Sequence, residues 1–252
     1  MPRSFWRTGP LLLSLPLAAA LAWGFVAALA PPRGSAVPEA PAAAPARKRA
    51  GQFLVVALGD SLTRGTGAPA GSGYVDDVAR GLRGREPGLR IENLAIEGLE
   101  SDGLRDLLAH PEARALAASA DAILLSIGGN DLSHAVGRVR DEPPLEALGR
   151  ARRNFAANLR TILGDLRERN PSARIVYLLL YNPFEESTAG TAGSPLIVDW
   201  NAEAQKIALD NGVRAVPTFD LFDGHPDRLA RDKFHPNEEG YKLIAERVRQ
   251  VL

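Results

Sequence analysis

The chain has 252 residues, with 30 basic and 30 acidic side chains and no cysteine. Residues 1–50 hold six of the basic and one of the acidic groups, so the remainder carries 24 against 29, a net charge of −5. This balance argues against nucleic-acid binding, which needs a basic surface to displace counterions from phosphates. The lack of cysteine excludes a disulfide, a thiolate metal site, a cysteine nucleophile and a lipoprotein anchor.

The amino terminus is predicted to be an export segment. Arg3 and Arg7 precede an uncharged stretch rich in Leu and Ala, from Gly9 to Ala30, which is the pattern of a basic region before an apolar one. Its length, close to the ~20 residues that span a bilayer, favours a retained transmembrane anchor. The A-x-A pattern ending at Ala30 leaves a cleaved signal peptide open. In both cases residues 1–30 predict an extracytoplasmic domain.

Residues 31–50 are predicted to be a disordered linker. They consist mainly of proline, alanine and short polar residues and end in Arg47-Lys48-Arg49. Such a composition buries too little apolar surface to fold, so we expect an extended tether. Residues 51–252 then form one domain, which is long enough to bury a sizeable core.

Strand and helix patterns alternate along this domain. Short apolar runs without clean alternation predict parallel strands covered on both faces. The runs are Phe53–Leu58, Leu89–Ala95, Ala122–Ile127, Arg174–Tyr181 and Val213–Val216. Helical spacing follows Pro143-Pro144 up to Asn170-Pro171, surrounds Trp200, and closes the chain after Asn237, a potential N-cap. The alternation predicts a flavodoxin-like three-layer α/β/α sandwich around about five parallel strands.

In folds of this class the functional residues lie in loops at the carboxyl ends of strands. The first apolar run ends in Gly59-Asp60-Ser61-Leu62-Thr63. A serine there can sit on a tight turn with its hydroxyl facing solvent, as an attacking alcohol requires. Taken alone, Gly59-Asp60-Ser61 is better explained as a turn or a helix N-cap.

A serine nucleophile needs a base, and the chain has four histidines. His110 is expected to end a helix, and His134 follows a Gly-Gly-Asn-Asp motif closely enough to border a site. His225 and His235 lie in loops before the last helix. Asp232, three residues before His235, could accept a hydrogen bond from its ring and fix the tautomer. The pattern is weak by itself, so His225 stays a rival base.

Two residues are candidate donors for the oxyanion of a tetrahedral intermediate. Gly98 follows the second strand, where glycine lets a backbone N–H point into a pocket without an intruding side chain. Asn130 follows the third strand and offers a side-chain amide. Each alone is an ordinary turn residue. The placement of the four motifs, each just past a predicted strand, favours a shared site.

Cofactor motifs are not evident in the sequence. Gly65-Thr66-Gly67 lacks the G-x-G-x-x-G spacing of a dinucleotide loop, and Pro69 interrupts any helix opening there. A Walker lysine pattern and a His-x-x-x-His pair are both absent from the sequence. We therefore expect no cofactor and no metal.

Four motifs together resemble the SGNH hydrolases, also called GDSL lipases/esterases, over residues 53–252. They are Gly59-Asp60-Ser61-Leu62, Asn93 to Gly98, Gly128-Gly129-Asn130-Asp131 and Asp232-x-x-His235-Pro236. The resemblance implies Ser61 as nucleophile, His235 as base and Asp232 as its orienting carboxylate. It also implies an oxyanion hole made by the backbone N–H groups of Ser61 and Gly98 with the Asn130 side chain, and a structural role for Asp60.

The resemblance implies a serine ester hydrolase that forms an acyl-enzyme and acts on a small-molecule, lipid or glycan ester. We expect the protein to be a monomer. Tyr181-Asn182-Pro183-Phe184 and Asp199-Trp200-Asn201 resemble a bacterial branch with an N-terminal hydrophobic segment, which would be the domain's only membrane contact. Ala95 and Glu97 depart modestly from the family pattern. A carbohydrate O-acetylesterase and a non-enzymic binding module on the same fold are the alternatives. The polar stretch from Asn182 to Leu196 is expected to be a loop at the rim of the acyl pocket.

Overall fold

The computed structural model describes residues 51–138, 144–183 and 188–252, so the predicted export segment and linker lie outside the described residues. The strands are β1 (Phe53–Gly59), β2 (Leu89–Asn93), β3 (Ala122–Ser126), β4 (Arg174–Leu178) and β5 (Arg214–Val216). The helices are α1 (Ser61–Arg64), α2 (Tyr74–Leu82), α3 (Ser101–Ala109), α4 (Pro111–Ser119), α5 (Gly129–Arg138), α6 (Pro144–Arg169), α7 (Thr188–Asp210), α8 (Phe219–Phe222) and α9 (Glu238–Val251), with a 3-10 turn at Pro226–Arg228. Within these three ranges, no helix combines the length and the apolar character that crossing a membrane requires.

The five strands form one parallel sheet in the order β2-β1-β3-β4-β5. This is the flavodoxin-like order, in which the winding direction of the chain reverses between β1 and β3. Loops leaving the carboxyl ends of these two strands diverge there and open a crevice, where ligands of open α/β sheets bind. The predicted fold class is confirmed, and the topology identifies where a site should lie.

Both faces of the sheet are buried under helices, which explains the continuous apolar strand sequences. Leu54, Val56 and Leu58 of β1 point to a core shared with α3, α6 and α7, where Phe155 and Trp200 stack with ring centroids 4.7 Å apart. The intervening β1 residues point to a second core shared with α2 and α9. This second core contains Val55 and Ala57 of β1 together with Tyr74, Val78, Tyr241 and Val248 of the two helices.

Two strands end earlier than their apolar runs predicted, while β1, β3 and β5 agree within one residue at either end. β2 ends at Asn93, whose side-chain oxygen accepts a hydrogen bond from the Ala95 N–H at 3.1 Å. β4 ends before Leu180, because the backbone N–H and carbonyl of Leu180 both bond the Asn201 side chain at 2.8 Å. In each case a side-chain amide bonds the backbone that follows the strand, while after β2 the Leu94 and Ile96 N–H groups still bond the Ala57 and Gly59 carbonyls of β1.

The helix predictions hold at α6 and α9 and fail in part at α7. Asn237 caps α9 as predicted, accepting a hydrogen bond from the Gly240 N–H at 3.0 Å. The expected loop up to Leu196 is wrong from Thr188 onward, because α7 begins there and contains Pro195. Gly and Pro indicated a loop, but α7 packs the side chains that follow Pro195 into the core, and such tertiary packing outweighs local propensity. Residues 184–187 of the predicted rim lie outside the described residues.

Candidate active site

A sharp turn at the end of β1 presents Ser61. Gly59 has a φ of +127°, and a Cβ placed on it would lie 1.9 Å from the Ser126 carbonyl oxygen, so only glycine fits. Asp60 is the N-cap of α1, and its Oδ1 accepts a hydrogen bond from the Leu62 N–H at 3.1 Å. Ser61 is therefore the first residue of a short helix at the carboxyl edge of the sheet.

A buried chain of hydroxyl groups supports this turn from below. The hydroxyl of Tyr74 lies 2.8 Å from Thr63 Oγ1, which lies 2.6 Å from Ser126 Oγ. Ser126 donates in turn to Asp60 Oδ1 at 2.6 Å. Burial raises the pKa of Asp60, against the lowering effect of the hydrogen bonds from the Ser126 hydroxyl and the Leu62 N–H. Each hydroxyl has one proton, so the chain runs in one direction, from Tyr74 to Asp60, and fixes the turn.

The histidine loop between β5 and α9 meets Ser61. His235 Nε2 lies 2.9 Å from Ser61 Oγ, and its Nδ1 lies 2.7 Å from Asp232 Oδ2. The other oxygen of Asp232 accepts hydrogen bonds from the backbone N–H groups of Phe234 at 2.9 Å and His235 at 3.0 Å. One carboxylate thus fixes both the loop and the ring. Burial alone would raise the pKa of Asp232, but these hydrogen bonds outweigh it and lower the pKa.

Other parts of the chain hold the histidine loop in place. The Tyr181 hydroxyl donates to the Phe234 carbonyl at 2.7 Å. A Cβ placed on Gly67, whose φ is +98°, would lie 2.7 Å from both His235 Cβ and the Pro236 carbonyl oxygen. Lys233 adopts a φ of +55°, a conformation that costs a non-glycine residue energy and is concentrated at functional sites. Gly67 and Tyr181 both occur in motifs noted in the sequence, but nothing in those motifs indicated that the two residues hold the histidine loop in place.

The two candidate oxyanion donors lie on adjacent segments. Asn130, in the first turn of α5, is buried and lines the same pocket as Ser61, and its side-chain amide donates to the Leu99 carbonyl at 2.9 Å. Gly98, with a φ of +75°, lies in the neighbouring loop after β2 and does not line that pocket. The structure therefore brings Asn130 to Ser61 and links Gly98 to it through Leu99. The roles of both as oxyanion donors stay predictions.

A pocket that is partly open to solvent lies beside Ser61. Its polar side is formed by Asp60, Ser61, Asn130 and His235, together with the backbone of Gly129. The rest is mostly hydrocarbon and aromatic, contributed by Leu62, Leu132, Leu180, Tyr181, Pro183, Ile197 and Phe234. An apolar group can therefore lie next to the serine hydroxyl without leaving a buried polar atom unpaired.

The other histidines lie elsewhere. His225 does not line the pocket, its side chain is 45% exposed, and its Nδ1 faces Asp227 at 3.7 Å. His110 separates α3 from α4, as predicted, and His134 contacts Glu100. Over the described part of the chain, no three His, Asp or Glu side chains cluster as a metal site requires.

Comparison with known proteins places the chain among lipase-like sequences and folds. The profile of the GDSL-like Lipase/Acylhydrolase family matches residues 57–243. The protein YpmR of Bacillus subtilis (strain 168) is 33% identical over 207 residues, which cover 79% of this chain and 81% of YpmR. The spore germination lipase LipC of Bacillus licheniformis is 29% identical over 202 residues, or 77% of this chain and 93% of LipC. The crystal structure of the lipase Lip_vut3 from a goat rumen metagenome has a TM-score of 0.71 at 25% identity, covering 79% of this chain and 97% of that one.

The close contact between Gly67 and the histidine loop predicts a specific cost of a methyl group at this position. Gly67→Ala should lower the free energy of unfolding by about 1–2 kcal/mol for its positive φ and by about 1–3 kcal/mol more for the clash with His235 and Pro236. Gly71→Ala is the matched control, because its φ is +81° and no atom lies within 4 Å of the added Cβ. Urea unfolding of both variants measures the difference, and equal losses would contradict the packing argument.

Proposed function

This chain belongs to the GDSL-like lipase/acylhydrolase family, and we propose that it is a serine ester hydrolase that works through an acyl-enzyme. The observation that carries the proposal is the relay of 2.9 Å from Ser61 Oγ to His235 Nε2 and 2.7 Å from His235 Nδ1 to Asp232 Oδ2. Nucleophile, base and orienting carboxylate within hydrogen-bond reach, beside a pocket, are what acyl transfer by serine requires.

In the acylation step, Ser61 Oγ attacks the ester carbonyl carbon while its proton passes to His235 Nε2. Asp232 Oδ2 keeps the other ring proton on Nδ1, so that Nε2 presents its lone pair to the hydroxyl, and it stabilises the imidazolium that forms. The tetrahedral oxyanion is stabilised by donors from Asn130 and from the backbone of Ser61 and Gly98. The intermediate collapses when His235 returns the proton to the departing alcohol.

In the deacylation step, water takes the place of the alcohol. His235 removes a proton from the water as its oxygen attacks the acyl carbon, and the same donors stabilise the second oxyanion. Collapse returns the proton to Ser61 Oγ and releases the carboxylic acid. The proton transfers of both steps therefore pass through the His235 imidazole, so the loop must hold this ring in a fixed position during acylation and deacylation.

We propose that the acyl group of the substrate is a hydrocarbon chain. Apart from the catalytic groups, the pocket wall offers mainly hydrocarbon and aromatic side chains, among them Leu132 on α5 and Ile197 on α7. Each buried methylene contributes about 0.8 kcal/mol, so a chain in this pocket adds binding energy with length. A carbohydrate O-acetylesterase would instead take acetyl there and lose activity with every added methylene.

The triad assignment predicts unequal losses on substitution. Ser61→Ala and His235→Ala should each reduce kcat by about 10⁴-fold or more, because either change removes the covalent route, while Asp232→Ala should retain measurably more activity. Asn130→Ala should lose about 10²–10³-fold, mainly in kcat, as expected for one oxyanion donor. The measurements are p-nitrophenyl ester hydrolysis and labelling by a serine-directed fluorophosphonate.

His225→Ala is the control for the base and should leave kcat within about twofold, because its ring is exposed and outside the pocket. Loss of activity in His225→Ala but not in His235→Ala would overturn the triad and leave the hydrolase proposal standing. Hydrolysis of no ester by the unmodified protein would overturn the proposal itself.

The acyl pocket predicts a chain-length profile. The ratio kcat/KM for p-nitrophenyl esters should rise by about fourfold per methylene from acetyl until the pocket is filled. Ile197→Trp should move the maximum to a shorter chain by filling the wall. Val198→Trp, its neighbour on α7, is the matched control because Val198 is 54% exposed and does not line the pocket. A maximum at acetyl, or equal shifts in the two variants, would contradict the pocket assignment.

We also propose that residues 1–30 export the domain and that residues 31–50 tether it outside the cytoplasmic membrane. The support is the basic and then apolar sequence pattern before a Pro- and Ala-rich linker. The domain should be digested by protease added to spheroplasts while a cytoplasmic marker stays intact. Recovery of the protein in the cytosol, or its protection in that assay, would disprove the export proposal.

A further inference from the structure

Two neighbouring segments of the site are joined by hydrogen bonds that the reaction itself does not use. The loop after β2 carries Leu99, whose carbonyl accepts a hydrogen bond from the Asn130 amide at 2.9 Å. The next residue of α5, Asp131, accepts a hydrogen bond from the Ser101 N–H at 3.0 Å through Oδ2. The Ser101 hydroxyl donates to the other oxygen of the same carboxylate. The start of α3 is thus bound to the start of α5.

This junction is buried and braced by a third helix. Ser101 has no exposed surface, and Asp131 is 8% exposed. The Asn158 side chain on α6 donates to Ser101 Oγ at 3.0 Å, and its own oxygen accepts from the Arg105 guanidinium at 2.8 Å. Since both carboxylate oxygens bond the same residue, Asp131 fixes the position of Ser101 in two directions.

We propose that Asp131 is a positioning residue that holds the two sides of the oxyanion hole at a fixed spacing. The inference rests on the proposed ester hydrolase function. Asn130 directly precedes Asp131, and Gly98 lies three residues before Ser101 in the loop that the carboxylate fixes. Oxyanion donors act only if they already point at the place where charge develops, so a clamp between their two segments preserves that arrangement.

The charge balance around Asp131 is consistent with a role beyond stability. Burial raises the pKa of Asp131 to about 6, although the hydrogen bonds from Ser101 oppose the shift, and the charge of nearby Glu100 adds to it. Glu100 itself pairs with His134, one turn further along α5. A buried carboxylate whose ionised form costs energy, placed next to a predicted oxyanion donor, fits the tendency of functional sites to hold perturbed acids.

The test compares three substitutions in the full-length protein. Asp131→Asn keeps the shape of the side chain but has one acceptor oxygen for two Ser101 donors. It should lower kcat for a p-nitrophenyl ester by about 10- to 100-fold, the range expected from a misplaced catalytic group, with KM within about twofold. Ser101→Ala should lose less, and the double variant should be no worse than Asp131→Asn, because the two residues share one interaction.

Asp121→Asn is the matched control. Its carboxylate also accepts a backbone hydrogen bond, from the Leu54 N–H at 2.7 Å. Asp121 directly precedes β3, at the amino ends of the strands, whereas the site lies at their carboxyl ends. This variant should keep kcat unchanged. An unchanged kcat in Asp131→Asn, an equal loss in Asp121→Asn, or a change confined to KM would overturn the positioning role.

Amide hydrogen exchange separates failure of this inference from failure of the proposed function. Exchange over residues 96–104 should be faster in Asp131→Asn than in both the unmodified protein and Asp121→Asn, whether or not any ester is hydrolysed. Unchanged exchange would overturn the clamp itself. Faster exchange with unchanged ester kcat would leave a structural bond and overturn the catalytic positioning. If the unmodified protein hydrolyses no ester, the proposed function fails and the catalytic role of Asp131 fails with it.

Discussion

The hydrogen bond between Ser61 and His235 is the constraint on which the rest of the site depends. It joins two residues 174 positions apart, at 2.9 Å, so the whole fold must bring the end of β1 and the loop before α9 to one place. The sheet does this by collecting the carboxyl ends of its strands at one edge. The packing of α2 and α9 in one core layer strengthens the join, and the Tyr241 hydroxyl donates to the Thr66 carbonyl at 2.7 Å.

A loop carries the base, although loops are the most mobile parts of most domains. This loop compensates with hydrogen bonds of its own: Asp232 bonds two backbone N–H groups, and the Tyr181 hydroxyl bonds the Phe234 carbonyl. The left-handed conformation of Lys233 is the backbone cost of turning the chain so sharply. Precision in the position of the base therefore depends on hydrogen bonds within and around the loop, in addition to the bond between His235 and Ser61.

Much of the fold could be predicted because helices cover both faces of the sheet, and strands buried on both faces have continuous apolar sequences that are easy to recognise. The order of the motifs also suggested which residues would meet, and Ser61, Asp232 and His235 do meet. The start of α7 could not be predicted, because Pro195 and the glycines indicate a loop until the core packing of α7 is known. The supporting role of Tyr181 could not be predicted either, because it consists of a hydrogen bond to a residue 53 positions further along the chain.

The polar groups beneath the site show why the site can be buried at all. Asp60, Asp131 and Ser101 lie among apolar side chains, where an unpaired polar atom would cost about 1–3 kcal/mol. Among the described residues, the buried side-chain atoms without a partner are Asp77 Oδ2 and Trp200 Nε1, and neither belongs to the site. The site's own buried groups form bonded networks, which hold one arrangement because any other would leave a member unpaired. The same hydrogen bonds therefore do two things. They pair the buried polar groups, and they fix the turn that carries Ser61 and the first turn of α5, so that the site is already arranged before a substrate binds.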